Sequence, residues 1–290
     1  MTIRFSVVVP CYNEESYLPA AIQSLRQQDF DGEYEIVVVD NNSTDATAKV
    51  ARSLGVRVVS EPAPGVCNAR QAGTAASSGE IVVSADADTT YAPDWLSKID
   101  QNFHRGDEVV AVVGPCRYHD GPRWGRWFAR ALFGTVGLVY RATGRTYYVS
   151  ATNIAFRRDR WTGYNTEMTQ GGDELDLLRR MRRQGTVVYD GTNPTFTSGR
   201  RFTRGLAYNL FVSLFVFYLS AYLVNRMFGR RVLGSAPAYR DSRPAPAPAR
   251  RFRVAVVTLV AALSMFAFEK PRDYVGHTAD DVVHYVQGRP

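Results

Sequence analysis

The chain has 290 residues, 45% of them hydrophobic, and this length allows one large folded domain with a further region attached. The formal net charge of +7 is uneven: residues 1–199 carry 21 basic and 23 acidic side chains, a net of −2, whereas residues 200–290 carry 14 and 5, a net of +9. Such a basic region attracts nucleic acid or an anionic membrane. Its arginines flank long apolar runs, which favours a membrane and argues against a nucleic-acid-binding protein.

The cysteines indicate a reducing compartment. Cys11, Cys67 and Cys116 are odd in number and lack the spacing of a zinc site. No signal peptide is expected, because the first predicted strand begins already at residue 3. The front domain is therefore expected in the cytoplasm.

In chain order, short apolar runs alternate with segments whose apolar residues recur at helical spacing. This alternation predicts an α/β fold with a mostly parallel sheet and helices on both of its faces. Strands are predicted at residues 3–9, 35–39, 57–60, 109–113 and 147–157 and in a run that starts at 81; helices are predicted at 16–28, 67–76, 93–103 and 123–141, from the polar cluster 41–45 to residue 54, and from 171–176 to just before Gly185.

Acidic residues follow two of the predicted strands. Asp86 and Asp88 end the run that starts at residue 81, and Asp40 ends the second strand. Residues i and i+2 of an extended chain point the same way, and the carboxyl ends of parallel strands share one edge, so the three carboxylates are expected in one cleft. Mg²⁺ or Mn²⁺ on a diphosphate suits such a cleft, and Arg70 is able to add a cation. By themselves, Asp86 and Asp88 are explained equally well as caps of the helix that follows.

Other phosphate-binding motifs are missing from the sequence. It has no Gly-x-Gly-x-x-Gly and no Gly-Lys-Ser/Thr segment, which argues against a dinucleotide oxidoreductase and a P-loop ATPase.

The predicted helix 123–141 combines arginines with aromatic residues. The pattern places four arginines on one side of it and aromatic residues opposite, as in a helix that lies at a membrane interface. An ordinary amphipathic surface helix explains the pattern equally well. The arginines are Arg123, Arg126, Arg130 and Arg141.

Residues 200–290 are predicted to form a C-terminal membrane-associated region behind a domain at 1–199. The segment 206–224 is 19 residues without a charge, enough for about one bilayer core as a helix. The segment 254–268 is shorter, and 244–249 alternates Pro and Ala as a stiff spacer. Arginines lie on both sides of the first segment, so the positive-inside rule leaves open whether the apolar helices span the membrane or lie in it.

Several stretches together make the sequence resemble the family 2 glycosyltransferases, which have the GT-A fold. The resemblance spans about residues 3–190 in the order and spacing of that family, and it favours the metal over the cap for Asp86 and Asp88. The matching stretches are VVVPCYNE at 7–14, VVVDNNSTD at 37–45, ARQAG at 69–73, DAD at 86–88, ATNIAFRR at 151–158 and GDELDL at 172–177.

The resemblance implies roles for individual residues. Tyr12, Glu14 and Asp40 would hold the base and ribose of a nucleoside diphosphate sugar, while Asp86 would contact ribose or metal. Further residues are Asp88 as ligand of Mn²⁺ or Mg²⁺, Asp173 or Glu174 as catalytic base, and Asn153 near sugar or acceptor. For Asn153 a strand-end turn is an equal alternative, and for Asp173 and Glu174 the alternative is favourable interaction with a helix N-terminus.

The implied activity is a metal-dependent inverting transfer of a sugar to a hydroxyl of a lipid-linked or membrane-proximal acceptor. Two alternatives stay open at this point. One is a transferase that uses polyprenyl phosphate, whose ionised oxygen needs no base. The other is a non-catalytic membrane adaptor that only binds a nucleotide sugar.

Overall fold

The structure is a computed structural model that describes residues 2–166 and 173–205, together with the isolated residues 209, 224 and 227. The strands are β1 (Phe5–Cys11), β2 (Tyr34–Asp40), β3 (Arg57–Ser60), β4 (Ile81–Ser84), β5 (Thr89–Thr90), β6 (Val109–Val113), β7 (Cys116–Tyr118), β8 (Ile154–Arg157), β9 (Thr186–Tyr189) and β10 (Thr195–Thr197). The helices are α1 (Leu18–Arg26), α2 (Thr47–Ser53), α3 (Val66–Ala76), α4 (Trp95–Phe103), α5 (Arg123–Thr143) and α6 (Asp173–Arg182).

Seven strands form the main sheet, in the order β3-β2-β1-β4-β8-β6-β9. The pairs β1–β2, β1–β4, β2–β3 and β6–β9 are parallel, whereas β8 runs antiparallel to both of its neighbours, β4 and β6. A small second sheet has the order β5-β10-β7. The predicted α/β fold with a mostly parallel sheet is therefore confirmed.

The strand predicted over residues 147–157 is shorter in the structure. Only Ile154–Arg157 is extended and paired, and Ala151–Asn153 forms a 3₁₀ turn. The turn directs two polar side chains into the interior: Thr152 Oγ1 lies 3.1 Å from Thr195 Oγ1, and Asn153 Oδ1 accepts a hydrogen bond from Trp95 Nε1 at 3.0 Å. These buried partners explain the polar interruption in an otherwise apolar run.

Apolar side chains lie on both faces of the main sheet. Along β1, Val7 and Val9 belong to one core cluster and Val8 to the other, as the two-residue period of a strand requires. Ile22 of α1 packs in the first cluster and Leu177 of α6 in the second. A strand buried on both faces reads as a continuous apolar run, which is the pattern of β1 in the sequence.

The described residues contain no helix that is both long and apolar enough to cross a membrane. The predicted apolar segments 206–224 and 254–268 and the spacer 244–249 lie outside the described residues, apart from Asn209 and Val224.

We expect Gly73→Ala to destabilise the domain by about 1–3 kcal/mol, the usual cost of overpacking. A β-carbon at Gly73 would lie 2.7 Å from Cγ2 of Val39 and closer still to Val8, because α3 packs directly on β1 and β2. Urea denaturation of the full chain measures this change. The matched control is Gly134→Ala on α5, where no described atom lies within 4 Å of the added carbon; it should stabilise by about 0.5–1 kcal/mol, and equal effects of the two substitutions would contradict the packing explanation.

Candidate active site

The loops that follow β1 and β2 are bound to each other at the carboxyl edge of the sheet. The backbone N–H of Asn13 donates to Oγ of Ser43 at 3.0 Å, and that of Glu14 donates to Oγ1 of Thr47 at 2.7 Å. Asn13 adopts a φ of 53°, in the left-handed region that asparagine tolerates better than most residues. These contacts fix the loop that carries the predicted site residues Tyr12 and Glu14.

Asp40 is the last residue of β2 and lies in register with Cys11 of β1. Its Oδ1 is buried and has no hydrogen-bond partner among the described residues. The neighbouring Asn41 is fully engaged with the loop after β3, because its Nδ2 donates to the carbonyl of Ala63 at 2.7 Å and its Oδ1 accepts from the N–H of Gly65 at 2.8 Å. A buried, unpaired carboxylate oxygen is costly, so Asp40 offers an acceptor that suits a ligand hydroxyl or N–H.

A second group of acidic residues surrounds the guanidinium of Arg70 on α3. Its Nη1 donates to Oδ2 of Asp173 at 2.7 Å and to Oε1 of Glu174 at 3.1 Å, and its Nη2 lies 3.4 Å from Oδ1 of Asp86. The side chain of Arg70 is only 4% exposed and that of Asp173 is fully buried. One buried cation therefore joins α3, the first turn of α6 and the turn after β4.

Asp173 and Glu174 are neighbours in the sequence, but their surroundings shift their pKa values in opposite directions. Burial disfavours the charged form of Asp173, but the charge of Arg70 and hydrogen bonds to the carboxylate outweigh it and lower the pKa below its ordinary value. Burial, followed by the charge of Asp173, raises the pKa of Glu174 well above its ordinary value, and Arg70 offsets only part of this rise. Oε2 of Glu174 is buried and accepts no hydrogen bond from the described residues. The ionised form is thus favoured at Asp173 and the protonated form at Glu174.

Asp86 and Asp88 lie in different surroundings. Burial raises the pKa of Asp86, and the nearby charge of Asp88 adds to this rise against the opposing charge of Arg70. Oδ1 of Asp88 accepts a hydrogen bond from Oγ1 of Thr197 at 3.2 Å, and its Oδ2 lies 2.9 Å from Nη2 of Arg200. The first aspartate therefore belongs to the Arg70 network, and the second is paired with residues at the end of β10.

The two aspartates fit a divalent metal ion. Neither of them caps α4, because that helix begins at Trp95 with Asp94 at its N-cap position. Carboxylate oxygens are the ligands that Mg²⁺ and Mn²⁺ prefer, and such ions are commonly held by one or two carboxylates together with substrate phosphates. Over the described ranges, no group of three or more His, Cys, Asp or Glu side chains is arranged to hold a metal by itself. The donor set therefore suits an ion that is completed by a diphosphate.

Arg200 is a site residue that the sequence did not identify. Its Nη2 donates to Oε1 of Glu14 at 2.6 Å in addition to its contact with Asp88. By pattern, Arg200 belongs to the arginines that precede the apolar segment 206–224. The three-residue strand β10 that positions it is too short to be recognised from hydrophobic alternation.

Asn153 lies away from any open surface. Its side chain donates to the carbonyls of Pro115 at 3.1 Å and Asn193 at 2.8 Å and accepts from Trp95, and the residue is only 2% exposed. A β-carbon at Gly114 would collide with it, so the pocket around this amide is closed. In the described structure Asn153 ties the turn before β8 to α4 and to the residues that precede β7 and β10, and its contact with substrate stays a prediction.

Comparison with known proteins identifies the family. Residues 6–165 match the family model described as Glycosyl transferase family 2. This match covers more than half of the 290 residues, and the chain belongs to that family.

Individual relatives and solved structures agree with this family assignment. An uncharacterized glycosyltransferase of Mycobacterium tuberculosis is 34% identical over 189 residues, which cover 64% of this chain and 82% of that protein. An undecaprenyl-phosphate 4-deoxy-4-formamido-L-arabinose transferase of Edwardsiella ictaluri is 30% identical over 161 residues, 50% of this chain but only 46% of that protein. Among solved structures, glucosyl-3-phosphoglycerate synthase from M. tuberculosis with Mn²⁺, UDP and glucosyl-3-phosphoglycerate has a TM-score of 0.56 at 25% identity, over 77% of this chain and 80% of that one. The mixed sheet thus has the GT-A fold.

The adjacent carboxylates Asp173 and Glu174 should affect stability in opposite directions. Because the pKa of Glu174 is raised on folding, stability falls as the pH rises from the ordinary pKa of a glutamate to the pKa of Glu174 in the folded protein. Glu174→Gln should therefore raise the Tm more at about pH 8 than at about pH 5. Each kcal/mol corresponds to about 2–4 °C for a domain of this size. Calorimetry of the full chain at both pH values measures it.

The comparison variant is Asp173→Asn, which leaves Arg70 without its ionised partner and should cost about 3–5 kcal/mol at pH 8. Because the pKa of Asp173 is lowered on folding, its contribution exists above its ordinary value and disappears as the pH falls through the folded value. The melting temperatures of the unmodified chain and of Asp173→Asn should therefore converge at acid pH. A stabilising Asp173→Asn at pH 8 would show that the pair is assigned the wrong way round.

Proposed function

We propose that the protein is an inverting glycosyltransferase that moves a sugar from a nucleoside diphosphate sugar to a hydroxyl of a lipid-linked or membrane-proximal acceptor. The observation that carries this proposal is the Arg70 network, in which one guanidinium binds Asp86 through Nη2 and the pair Asp173 and Glu174 through Nη1. Membership of glycosyl transferase family 2 supports the transfer, and the related synthase with Mn²⁺ and UDP supports a nucleotide sugar.

The donor would bind along the carboxyl ends of β1 and β2. Tyr12, Glu14 and Asp40 would hold the base and ribose, and the unpaired Oδ1 of Asp40 is an acceptor for a ribose hydroxyl or a base N–H. Asp86 and Asp88 would hold Mn²⁺ or Mg²⁺, which supplies positive charge to the departing diphosphate.

Glu174 would act as the general base. Its carboxylate accepts the proton of the acceptor hydroxyl, the hydroxyl oxygen forms a bond to C1 of the sugar, and the bond from C1 to the diphosphate breaks with its electron pair on the departing oxygen. The fully buried Asp173 would keep Arg70 in place rather than meet the acceptor. Because its pKa is raised, Glu174 keeps its proton over a wider pH range than an ordinary glutamate. Activity should therefore rise as the pH passes the raised pKa of Glu174.

A second candidate acceptor is polyprenyl phosphate. It is favoured by the relative from E. ictaluri, whose name describes transfer involving undecaprenyl phosphate. Such an acceptor is already ionised and needs no base, so the role of Glu174 separates the two candidates.

We expect Asp88→Asn to abolish the Mn²⁺- or Mg²⁺-dependent release of nucleotide from one member of a UDP-, GDP- and dTDP-sugar panel. Glu174→Gln should lower kcat about 10²–10⁴-fold, the usual range for a general base, and remove the acid limb of the pH profile. The reaction is followed with the full chain in native membranes.

Asp94→Asn is the matched control, because Asp94 is half exposed and pairs with Lys98 within α4; it should leave the rate unchanged. Retained turnover in Glu174→Gln would favour the phosphate acceptor. Binding of a nucleotide sugar without turnover on any membrane lipid extract would favour the non-catalytic adaptor.

We further propose that the protein is membrane-associated with its catalytic domain in the cytoplasm, through the C-terminal region and α5. Cys11, Cys67 and Cys116 are all buried, and their odd number supports a reducing compartment. On α5, Trp127 is 71% and Leu138 60% exposed, an unusual exposure for large apolar side chains.

The charge around these exposed side chains suits an anionic lipid surface. Trp127 lies one turn from Arg123 and from Arg130, so this exposed aromatic residue shares a side of α5 with arginines. The sequence pattern predicts the aromatic residues opposite the arginines, and for Trp127 this prediction is wrong. No acidic residue occurs between Asp120 and Asp159. Arginines next to exposed Trp and Leu are typical of helices that rest on a bilayer surface.

We expect a fluorophore on Leu138→Cys to be quenched by spin-labelled lipid when the full chain is reconstituted in vesicles with about one third anionic lipid. The three natural cysteines are buried, so labelling is selective. The control position is Ser53→Cys, exposed at the end of α2, which should stay unquenched. A water-exposed Leu138→Cys probe in these vesicles would contradict membrane contact by α5, whatever the C-terminal region does.

A further inference from the structure

Two carboxylates of the candidate active site share one cation, the guanidinium of Arg200. Its Nη2 lies 2.6 Å from Oε1 of Glu14 and 2.9 Å from Oδ2 of Asp88, so a single nitrogen bridges the nucleotide side and the metal side of the cleft. The guanidinium carbon lies 4.6 Å from the ring centroid of Tyr17, within the range of a cation–π contact. Arg200 thus lies where the diphosphate of a donor would meet Asp88.

The backbone of Arg200 is held firmly by its neighbours. The N–H of Ser198 donates to the carbonyl of Asp88 at 3.0 Å, and the N–H of Arg200 donates to Oγ of Ser198 at 3.3 Å. Two residues further on, Phe202 packs edge-on against Tyr118 and Trp124, with ring centroids 4.7 Å and 5.0 Å away. A change of partner by Arg200 therefore requires rotation of its side chain only.

The guanidinium has bonding capacity that the described residues do not use. Its Nε is buried and has no hydrogen-bond partner among them, and the side chain is 17% exposed. Guanidinium groups bind phosphate oxygens through two parallel N–H donors, a geometry that the split contact with Glu14 and Asp88 does not reproduce. A diphosphate in the cleft is a better partner for this fork than two separate carboxylates.

A divalent ion and Arg200 compete for the same carboxylate. Both oxygens of Asp88 are already engaged, one by Thr197 and one by Arg200. A metal ion on Asp88 would lie against the guanidinium, and like charges at such separations repel. The conflict disappears when a diphosphate supplies two negative charges, one partner for the ion and another for Arg200.

We infer that Arg200 occupies the metal side of Asp88 until a nucleoside diphosphate arrives and then transfers to the diphosphate, so that metal and donor bind together and neither binds well alone. This inference rests on the proposed function, because it needs a nucleoside diphosphate in the cleft. It adds Arg200 as a residue that binds the donor, and it adds the joint binding of metal and donor. Both follow from the contacts of Nη2 with Glu14 and Asp88.

The test measures Mn²⁺ affinity directly, by electron paramagnetic resonance of free Mn²⁺ with the full chain. The nucleotide is whichever of UDP, GDP and dTDP the unmodified chain binds. In the unmodified chain, saturating nucleotide should tighten Mn²⁺ binding about tenfold or more, an ordinary coupling between two sites. In Arg200→Met, Mn²⁺ alone should bind about tenfold more tightly, nucleotide should bind more weakly, and the coupling should shrink toward one.

Arg200→Lys keeps the charge without the fork and should retain the weak binding of Mn²⁺ alone while losing nucleotide affinity. It keeps the test valid if Arg200→Met does not fold. The control Arg105→Met removes an exposed arginine after α4 and should change neither affinity. Unchanged Mn²⁺ affinity and coupling in Arg200→Met, or unchanged nucleotide affinity in Arg200→Lys, would overturn the inference. Failure of the unmodified chain to bind any of the three nucleotides would instead overturn the proposed function itself.

Discussion

Burial of negative charge is the constraint that organises this active site, and Arg70 meets it. Asp173 has no exposed side-chain surface and Glu174 very little, and ionised carboxylates in such positions are strongly destabilising unless a cation lies beside them. By pairing with both residues and with Asp86, the guanidinium fixes α6 against α3 and orients the cleft between them. The same cation cannot satisfy all three carboxylates equally. That inequality shifts the pKa values of the two neighbours on α6 in opposite directions.

The two arginines of the cleft, Arg70 and Arg200, have different surroundings and therefore different proposed roles. Arg70 is enclosed by the protein and its partners belong to the fold. The side chain of Arg200 is more exposed, 17% against 4% for Arg70, and its Nε has no hydrogen-bond partner among the described residues. In the proposed function, Arg70 maintains the geometry of the cleft, and Arg200 changes partner when a ligand binds. Preorganised charge of this kind is the main resource that a transferase has for stabilising a departing diphosphate.

Much of this architecture is readable from the sequence, and the exceptions have physical causes. The strands that are buried on both faces appear as apolar runs, and the acidic residues at the ends of β2 and β4 indicate the edge where the cleft lies. The direction of β8 is not encoded in its composition, because an antiparallel strand buried between β4 and β6 has the same apolar pattern as a parallel one. Strands of two or three residues, such as β5 and β10, carry no detectable periodicity. Arg200 was hidden for that reason. Asn153, a polar residue within a family motif, has its side chain hydrogen-bonded in the interior of the described structure.

The position of β8 in the sheet has a consequence for folding during synthesis on the ribosome. β1 to β4 are complete once residue 84 has been made, and they can pair with one another as soon as they emerge. The far edge of β4 is filled only by residues 154–157, so it stays uncovered while β5, α4, β6, β7 and α5 are synthesised. An uncovered central strand is a template for wrong pairing with other chains. Asp86 and Asp88 follow the end of β4, and negative charge that flanks an apolar strand opposes such association.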